Sequence, residues 1–454
     1  MDMRACSNVC GIRVTCASAA AVPTPASHTI LSEGKTRRGQ PVDVLLLDAQ
    51  YRQTLVCMRV YAAAGLRVGA VACASEAWWA PSFKSRWCSL RVTAPDFELD
   101  ADAYVNALLE QVDAYPARMI LAAHDGSIAA LRPRRSEIER RIALPLASEA
   151  ALDIAVSKSR TLALAEDLGI AVPTSIPVSD IADVSAATAH LGYPVVIKPV
   201  QSWVERDGIG TRLSCGVAQT ADQAKRTIWD MLSAGGDAVV QQWLPGRREA
   251  VSLFFAHDKF WARFAQVSHR EWPLLGGASV LCESIPLPPD ITSPSERLVR
   301  AMNLEGCSMV EFRRDQVGRP FLMEVNPRMA GSVALAVASG VNFPRLTYAW
   351  ATGAPLQTVT SYQVGSRLRW LAGDIWNLKC VFDSQGQPDA PRRGQAVTRF
   401  LADFVRRPSA LDLRALTDMR PGLAEMHKSV LVHAHGRIRR SSPVRWLTGY
   451  RKVT

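Results

Sequence analysis

Two acids and an amide within SMVEFRRDQVGRPFLMEVNPRMAG (residues 308–331) have the types and spacing for metal chemistry. The stretch reads as strands over 308–314 and 319–326 joined at Val317-Gly318, where glycine supplies the positive φ of a two-residue hairpin loop. A symmetric loop sets Glu311 directly opposite Glu324, and the two-residue side-chain period puts Asn326 on the same face as Glu324. Carboxylates opposed across a ladder repel each other. A hard divalent cation held by Glu311, Glu324 and the Asn326 amide oxygen removes that repulsion, and Mg²⁺ in such a site keeps positions for water or phosphate. Arg328, just past Pro327, adds a fixed fork of donors for an anion beside the metal. The competing reading is an exposed hairpin whose acids pair with Arg313, Arg314 and Arg319, in surface ion pairs of little energetic weight.

Several upstream elements must position that hairpin. Residues 157–168 have the marks of a helix: Ser157 can cap it, Leu164 and Leu168 share a face, and Gly169 with Pro173 ends it. Lys158 falls in its first turn, where a cation opposes the helix dipole unless an anion binds there too. The apolar run YPVVIKP brings Lys198 onto the strand face of Val196, a partly buried position in which a lysine needs an anionic partner or its pKa falls. QSWVERDGIGTRLS follows, a loop whose Gly208, Gly210 and Thr211 offer free backbone N–H groups for phosphate; a mobile hairpin tip would look the same. Residues 237–258 read as strand, turn and strand around Pro245-Gly246, with Glu249 opening the return strand. Arg270, ahead of Trp272 and the pair Gly276-Gly277, marks either an anion-binding loop or a simple turn. A helix is expected over 293–302, a helix broken at Gly340 and resumed after Pro344, and a strand over 366–375 with Arg369 and Asp374.

The chain begins more quietly. Residues 1–40, rich in Ala, Ser, Thr and Pro, show no sustained periodicity and are read as a disordered leader or an early start, with a targeting presequence as the alternative. Then VDVLLLDA, LRVGAVAC and ARMILAAHD are apolar runs of buried-strand length alternating with helical segments, the pattern of a parallel sheet covered on both faces. No Gly-x-Gly-x-x-Gly follows the first run, so a dinucleotide site of that kind is not supported. His124 and Asp125 lie at a strand's carboxyl end, where ligands gather in such sheets, or else cap the next helix.

Composition narrows the class. The 454 residues, 48% of them hydrophobic, allow two to four packed domains. Ten cysteines without Cys-x-x-Cys or zinc spacing fit free thiols in a reducing compartment, hence a cytoplasmic protein. The formal charge of +11 is concentrated in the tail, where seven Lys or Arg and no acid follow Met426. Nucleic-acid binding by the whole chain is therefore not expected. The tail, residues 429–454, alternates as VLVHAHGRIRR and then carries Val444, Trp446 and Leu447 among arginines. It reads as an added hairpin and helix, a membrane-surface contact, or a partner arm. His433 and His435 on one strand face are too few for a metal site.

Taken in order, Lys158 in DIAVSKSRTLALAEDLGIAVP, Lys198 in GYPVVIKP, the glycine loop, VVQQWLPG, VEFRRD and MEVNPR resemble the ATP-grasp superfamily, most closely its carbamoyl-phosphate-synthetase-like branch of carboxylate–amine ligases, over residues 42–353. The resemblance implies an α/β fold: a Rossmann-like pre-ATP-grasp domain at 41–155, then a two-lobed α+β ATP-grasp domain at 156–360 with a central lid subdomain near 190–245. Residues 361–454 then form a C-terminal extension with the basic tail. It implies ATP between the lobes, with Lys158 and Lys198 on the α- and β-phosphates and Gly208, Gly210 and Thr211 in the loop that covers them. Gln241, Gln242, Trp243 and Leu244 form the adenine hinge and Glu249 meets the ribose. Glu311, Glu324 and Asn326 ligate Mg²⁺, with two ions expected and Mn²⁺ as a substitute. Arg328 faces the transferred phosphate and Arg270 the acceptor's carboxylate. The sequence departs from the family at Gln241-Gln242, where Glu is common, which removes a charged hinge contact and spares backbone recognition.

The implied reaction joins a small carboxylic acid to an amine through an acyl phosphate, with small-molecule partners and a dimer as a compatible oligomer. Two alternatives stand beside it: another acceptor such as bicarbonate in a carboxylase-like reaction, for which no Met-Lys-Met carrier segment is present, and a non-catalytic nucleotide-binding scaffold.

Overall fold

In the computed structural model of the chain, residues 31–34, 40–206, 209–274, 277–383, 391–405, 410–411 and 417–436 are described. The first domain is built on strands β1 (Leu31–Gly34), β2 (Val44–Leu46), β3 (Val68–Cys73), β4 (Cys88–Ala94) and β5 (Met119–Leu121), ordered β1-β4-β3-β2-β5. The last four are parallel and β1 runs antiparallel along the edge, so four residues of the expected leader belong to this sheet. The rest of that leader lies outside the described residues. Every residue of β2 and β3 is buried, because helices and the neighbouring domain cover both faces. Alternate residues serve different cores: Leu45, Val71 and Ile120 one, Val44, Ala70 and Met119 the other.

A smaller sheet has the order β10-β7-β11-β6, from β6 (Ser175–Val178), β7 (Val195–Pro199), β10 (Gly216–Ala218) and β11 (Ala238–Gln242). It closes its own core of Ile197, Ile228 and Val240 under two helices. Strands β8 (Trp203–Arg206) and β9 (Ile209–Arg212) pair separately as a hairpin. The glycine loop is that hairpin, and Gly208 at its tip lies outside the described residues.

The third sheet runs β16-β15-β12-β13-β14-β17-β18. It comprises β12 (Arg248–Ala256), β13 (Lys259–Trp272), β14 (Ala278–Ile285), β15 (Gly306–Arg314), β16 (Pro320–Asn326), β17 (Arg367–Arg369) and β18 (Ala410–Leu411). Phe255 and Phe312 continue the first core of the N-terminal domain, and Phe254 and Phe264 the second, so these two parts share their interiors. Each such fully buried ring contributes about 1.5–3 kcal/mol. Gly246, in the turn before β12, has no room for a side chain: a Cβ would lie 2.4 Å from the Arg314 carbonyl oxygen.

Two sequence expectations change here. Residues 366–375 are strand only over Arg367–Arg369; Leu371–Asp383 is a helix, whose apolar period the short window could not resolve. The alternating VLVHAH segment belongs to the helix Arg420–Gly436 and not to a hairpin, so His433 and His435 do not share a strand face. The approach to that helix is tied to the first domain, where Asp418 accepts from Arg59 Nε at 3.1 Å and Ser85 Oγ at 2.7 Å. Among the described residues, no helix is long and apolar enough to cross a membrane.

Candidate functional site

Strands β15 and β16 place Glu311 opposite Glu324. The route to that register differs from a symmetric two-residue loop. Arg314 pairs with Pro320 across a longer turn, and a bulge between the pairs Glu311/Glu324 and Phe312/Leu322 absorbs one extra residue. The bulge sets Met323 and Glu324 between the buried Leu322 and Val325, breaking the simple alternation.

The carboxylates are bridged by one amide. Asn326 Nδ2 donates to Glu311 Oε1 and to Glu324 Oε1, both at 3.2 Å, while its Oδ1 accepts from Arg328 Nη2 at 3.4 Å. Arg248 Nη1 lies 3.3 Å from Glu311 Oε2. Burial, then the facing Glu324, pushes Glu311 above the ordinary carboxylate range despite Arg248. Burial opposes Glu324 as well, but the charges of Lys158 and Lys198 outweigh it and hold that acid down. Glu311 therefore lacks sufficient positive charge and Glu324 draws on the lysines. The donor set suits a hard divalent cation: two facing carboxylate oxygens, and an amide that presents Oδ1 after a half-turn about its Cβ–Cγ bond. Among the described residues no three His, Cys, Asp or Glu gather as a metal cluster, so water or phosphate oxygens would have to complete the shell.

Arg328 extends the site toward the first domain. Its Nε donates to Asp125 Oδ1 at 2.5 Å and its Nη2 to Asp125 Oδ2 at 2.9 Å. His124 caps the helix Asp125–Leu131 through its side chain, as the capping reading of the His124-Asp125 pair expects, while Asp125 reaches the hairpin. Sequence reasoning did not foresee Asp125 as the partner of Arg328. Its place at a strand's carboxyl end was the available signal.

A cleft of about 220 Å³ lies beside this cluster, lined by Lys158, Lys198, Gln241, Val239, Ser175 and Met323 among others. The lining follows from register. Val239 pairs with Lys198 and Pro177, and Gln241 with Ser175, so one face of the small sheet supplies its floor. The bulge turns Met323 in from the other side, with its sulfur 3.8 Å from Lys198 Nζ. Ser157 caps the helix Lys158–Asp167 as expected, and Lys158 Nζ donates to Ser202 Oγ at 2.8 Å. Burial lowers the Lys198 pKa, although Cys215 and Glu324 pull the other way.

The remaining predicted residues divide. In the expected hinge, Gln241 Nε2 donates to Ser175 Oγ, Gln242 N donates to the Thr174 carbonyl, Trp243 lies under the Arg313 guanidinium and Leu244 is buried. Gly210 and Thr211 lie on β9. Glu249 is outside the cleft lining, with Oε1 held by Arg247 at 2.6 Å and Oε2 by Arg314 at 2.6 Å. Arg270 has partners within the protein. Its Nε and Nη2 grip Asp374 at 2.6 and 2.7 Å and its Nη1 grips Asp403 at 2.6 Å, so all three nitrogens already bind acids of the protein. The acids arrive from residues more than a hundred positions downstream, which a local motif cannot reveal.

The chain is similar to several known proteins. The profile of a family described as ATP-grasp in the biosynthetic pathway with Ter operon matches residues 276–373, which include the carboxylate hairpin. The D-alanine–D-alanine ligase of Pseudomonas entomophila (strain L48) is 25% identical over 219 residues, 43% of this chain. The match spans 63% of that relative's length, a little under two thirds. Among solved structures, a biotin carboxylase–β,γ-ATP complex from Campylobacter jejuni superposes with a TM-score of 0.56 at 14% identity, covering 72% of this chain and 74% of that one. An L-amino acid ligase from Bacillus licheniformis superposes with a TM-score of 0.54 at 16% identity, covering 71% and 76%. These structural likenesses concern the fold.

Proposed function

Taking as premise that the chain is a member of the ATP-grasp superfamily, we propose that it is an ATP- and Mg²⁺-dependent ligase that activates a small carboxylic acid as an acyl phosphate and joins it to an amine. The observation that carries this reading is the pair of facing acids, buried Glu311 and half-buried Glu324, set beside a cleft with two lysines on its walls. The likeness to a D-alanine–D-alanine ligase supports amide formation over the carboxylase-like alternative.

In this proposal ATP occupies the cleft, its base between the small sheet and the Lys158 helix, with Gln241 to Leu244 at the hinge and Glu249 toward the ribose. Lys158 and Lys198 bind the α- and β-phosphates. Lys198 gains most, since a phosphate restores the charge that burial disfavours. Glu311, Glu324 and Asn326 would hold Mg²⁺, two ions with Mn²⁺ as a substitute. Bound there, the metal supplies charge neutralisation as the phosphoryl group moves. The acid's carboxylate oxygen forms a bond to the γ-phosphorus as the bond to the ADP oxygen breaks; Arg328, steadied by Asp125, offsets the negative charge brought together. The amine nitrogen then attacks the acyl carbon, the carbon–oxygen bond to phosphate breaks, and the nitrogen loses a proton. Gly210 and Thr211 belong to the hairpin that keeps water away meanwhile. The domain roles proposed are a nucleotide site within 156–360 and a second-substrate wall from 41–155. Free thiols such as Cys57 and Cys282 support action in the cytoplasm.

The test is incubation with ATP, Mg²⁺ and pools of small carboxylates and amines. ADP release that requires both pools, with an amide product by mass spectrometry, is the expected result. Tight ATP binding with no turnover in any pool would favour a nucleotide-binding scaffold and reject the ligase.

A further inference from the structure

The described arms of the β8–β9 hairpin are fastened to the first domain. The Trp203 ring sits 5.5 Å from the ring of Phe97. Phe97 in turn meets Tyr104 edge-on at 5.4 Å, and His124 stacks on Tyr51 at 4.6 Å. Two glycines admit the indole. A Cβ on Gly210 would lie 2.2 Å from Trp203, and one on Gly126 would lie 2.9 Å from Trp203 and 2.6 Å from Phe97. Beside the ring, the Gly210 N–H donates to the Glu98 carbonyl at 2.7 Å, and Arg212 Nη1 lies 2.7 Å from His124 Nε2. Burial, reinforced by Arg212, holds the His124 pKa near 3, so the ring meets that guanidinium uncharged around neutral pH.

Three consecutive residues thus touch both sides of the site. His124 meets Arg212 and Gly126 meets Trp203 on the hairpin, while Asp125 between them grips Arg328 beside the carboxylates. We propose that His124-Asp125-Gly126 is a positioning element for the transfer reaction, and that Trp203 is the anchor by which it holds the phosphate-covering hairpin in register with Arg328. This rests on the ligase reading. Trp203 acts through the hairpin and is a positioning residue. Its physical work is to bury a large ring at a domain boundary, which keeps the backbone of β9 from swinging out and admitting water. When water replaces the amine, it attacks the acyl phosphate and releases the acid and phosphate, so ATP is consumed with no amide formed.

Two readouts on the full chain test the anchor, Trp203→Ala against Trp203→Phe. The first is trypsin cleavage after the exposed Arg206, which needs no substrate. At a temperature well below the melting temperature of each protein, Trp203→Ala should be cut about tenfold faster than wild type and Trp203→Phe close to the wild-type rate. Equal cleavage of wild type and Trp203→Ala would overturn the anchor. The second is the ratio of phosphate released to amide formed, which should rise severalfold in Trp203→Ala and recover in Trp203→Phe; an unchanged ratio would overturn the positioning role. If wild type turns over no acid and amine pool, the ligase reading fails, and the cleavage rates still decide the anchor.

Discussion

The carboxylate hairpin and the Arg270 cluster are both buried assemblies of charge in the same seven-stranded sheet, balanced in opposite ways. Around Arg270 each acid meets a guanidinium. Asp374 accepts from Arg270 and from Arg369 at 2.7 Å, and Asp403 accepts from Arg270 and from Arg367 at 3.2 Å. At the hairpin, Glu311 faces Glu324 with one amide between them; Glu311 has the single guanidinium of Arg248 at 3.3 Å, and the lysines that offset Glu324 stand in the neighbouring cleft. A matched cluster repays its desolvation internally and has no need of a ligand. An unmatched one is incomplete by itself, and the missing charge is what a metal and a nucleotide would provide. Charge density alone therefore does not mark a site; the sign imbalance does.

Breaking the unmatched side should give the largest effect. Glu324→Ala should lower acid- and amine-dependent ADP release by at least about 10²–10³-fold in a protein that remains folded by circular dichroism. Unchanged turnover would reject the metal assignment. Breaking the matched side should do the reverse. Arg270→Ala leaves Asp374, fully buried, without its bidentate partner and should cost about 3–5 kcal/mol of stability, read from urea unfolding. Turnover per folded molecule should change little, and a selective loss of activity at full stability would return Arg270 to the substrate.

A smaller effect sharpens the contrast on the acid side. Burial would raise the Asp403 pKa, but its hydrogen bond from Arg270 and the nearby arginine charges bring it below the ordinary value of 3.8. A depressed carboxylate contributes stability that is present above its unfolded pKa and lost as pH falls through the lower folded one. Wild type should therefore lose a few degrees of melting temperature on acidification below about pH 4 that Arg270→Ala does not lose. Parallel curves for the two proteins would mean that Arg367 alone holds Asp403.

Much of the site was legible because its signals are local. Capping by Ser157, the period that carries Lys198 to the cleft, and the pairing of Glu311 with Glu324 need only a few neighbouring residues. The pairing came out right although the turn is longer than Gly318 suggested, since a bulge at Met323 restores the register. No sequence period announces a bulge. The strand expected over 366–375 failed for a related reason: Arg367–Arg369 and Leu371–Asp383 meet within that window, and a short apolar run fits either period.

What the sequence by itself determined is the order of the lysines, acids and glycines, the strand and helix periods that aim them, and hence the fold class. Only the tertiary structure decided which charges are left uncompensated. It brought Asp374 and Asp403 to Arg270, Asp125 to Arg328 and the first domain's Phe97 to Trp203. The physical reason is that Coulomb attraction and desolvation depend on distance and burial in space. Residues 125 and 328 become neighbours only when the parallel sheet and the antiparallel sheet share a core, a condition that no local stretch of the chain contains.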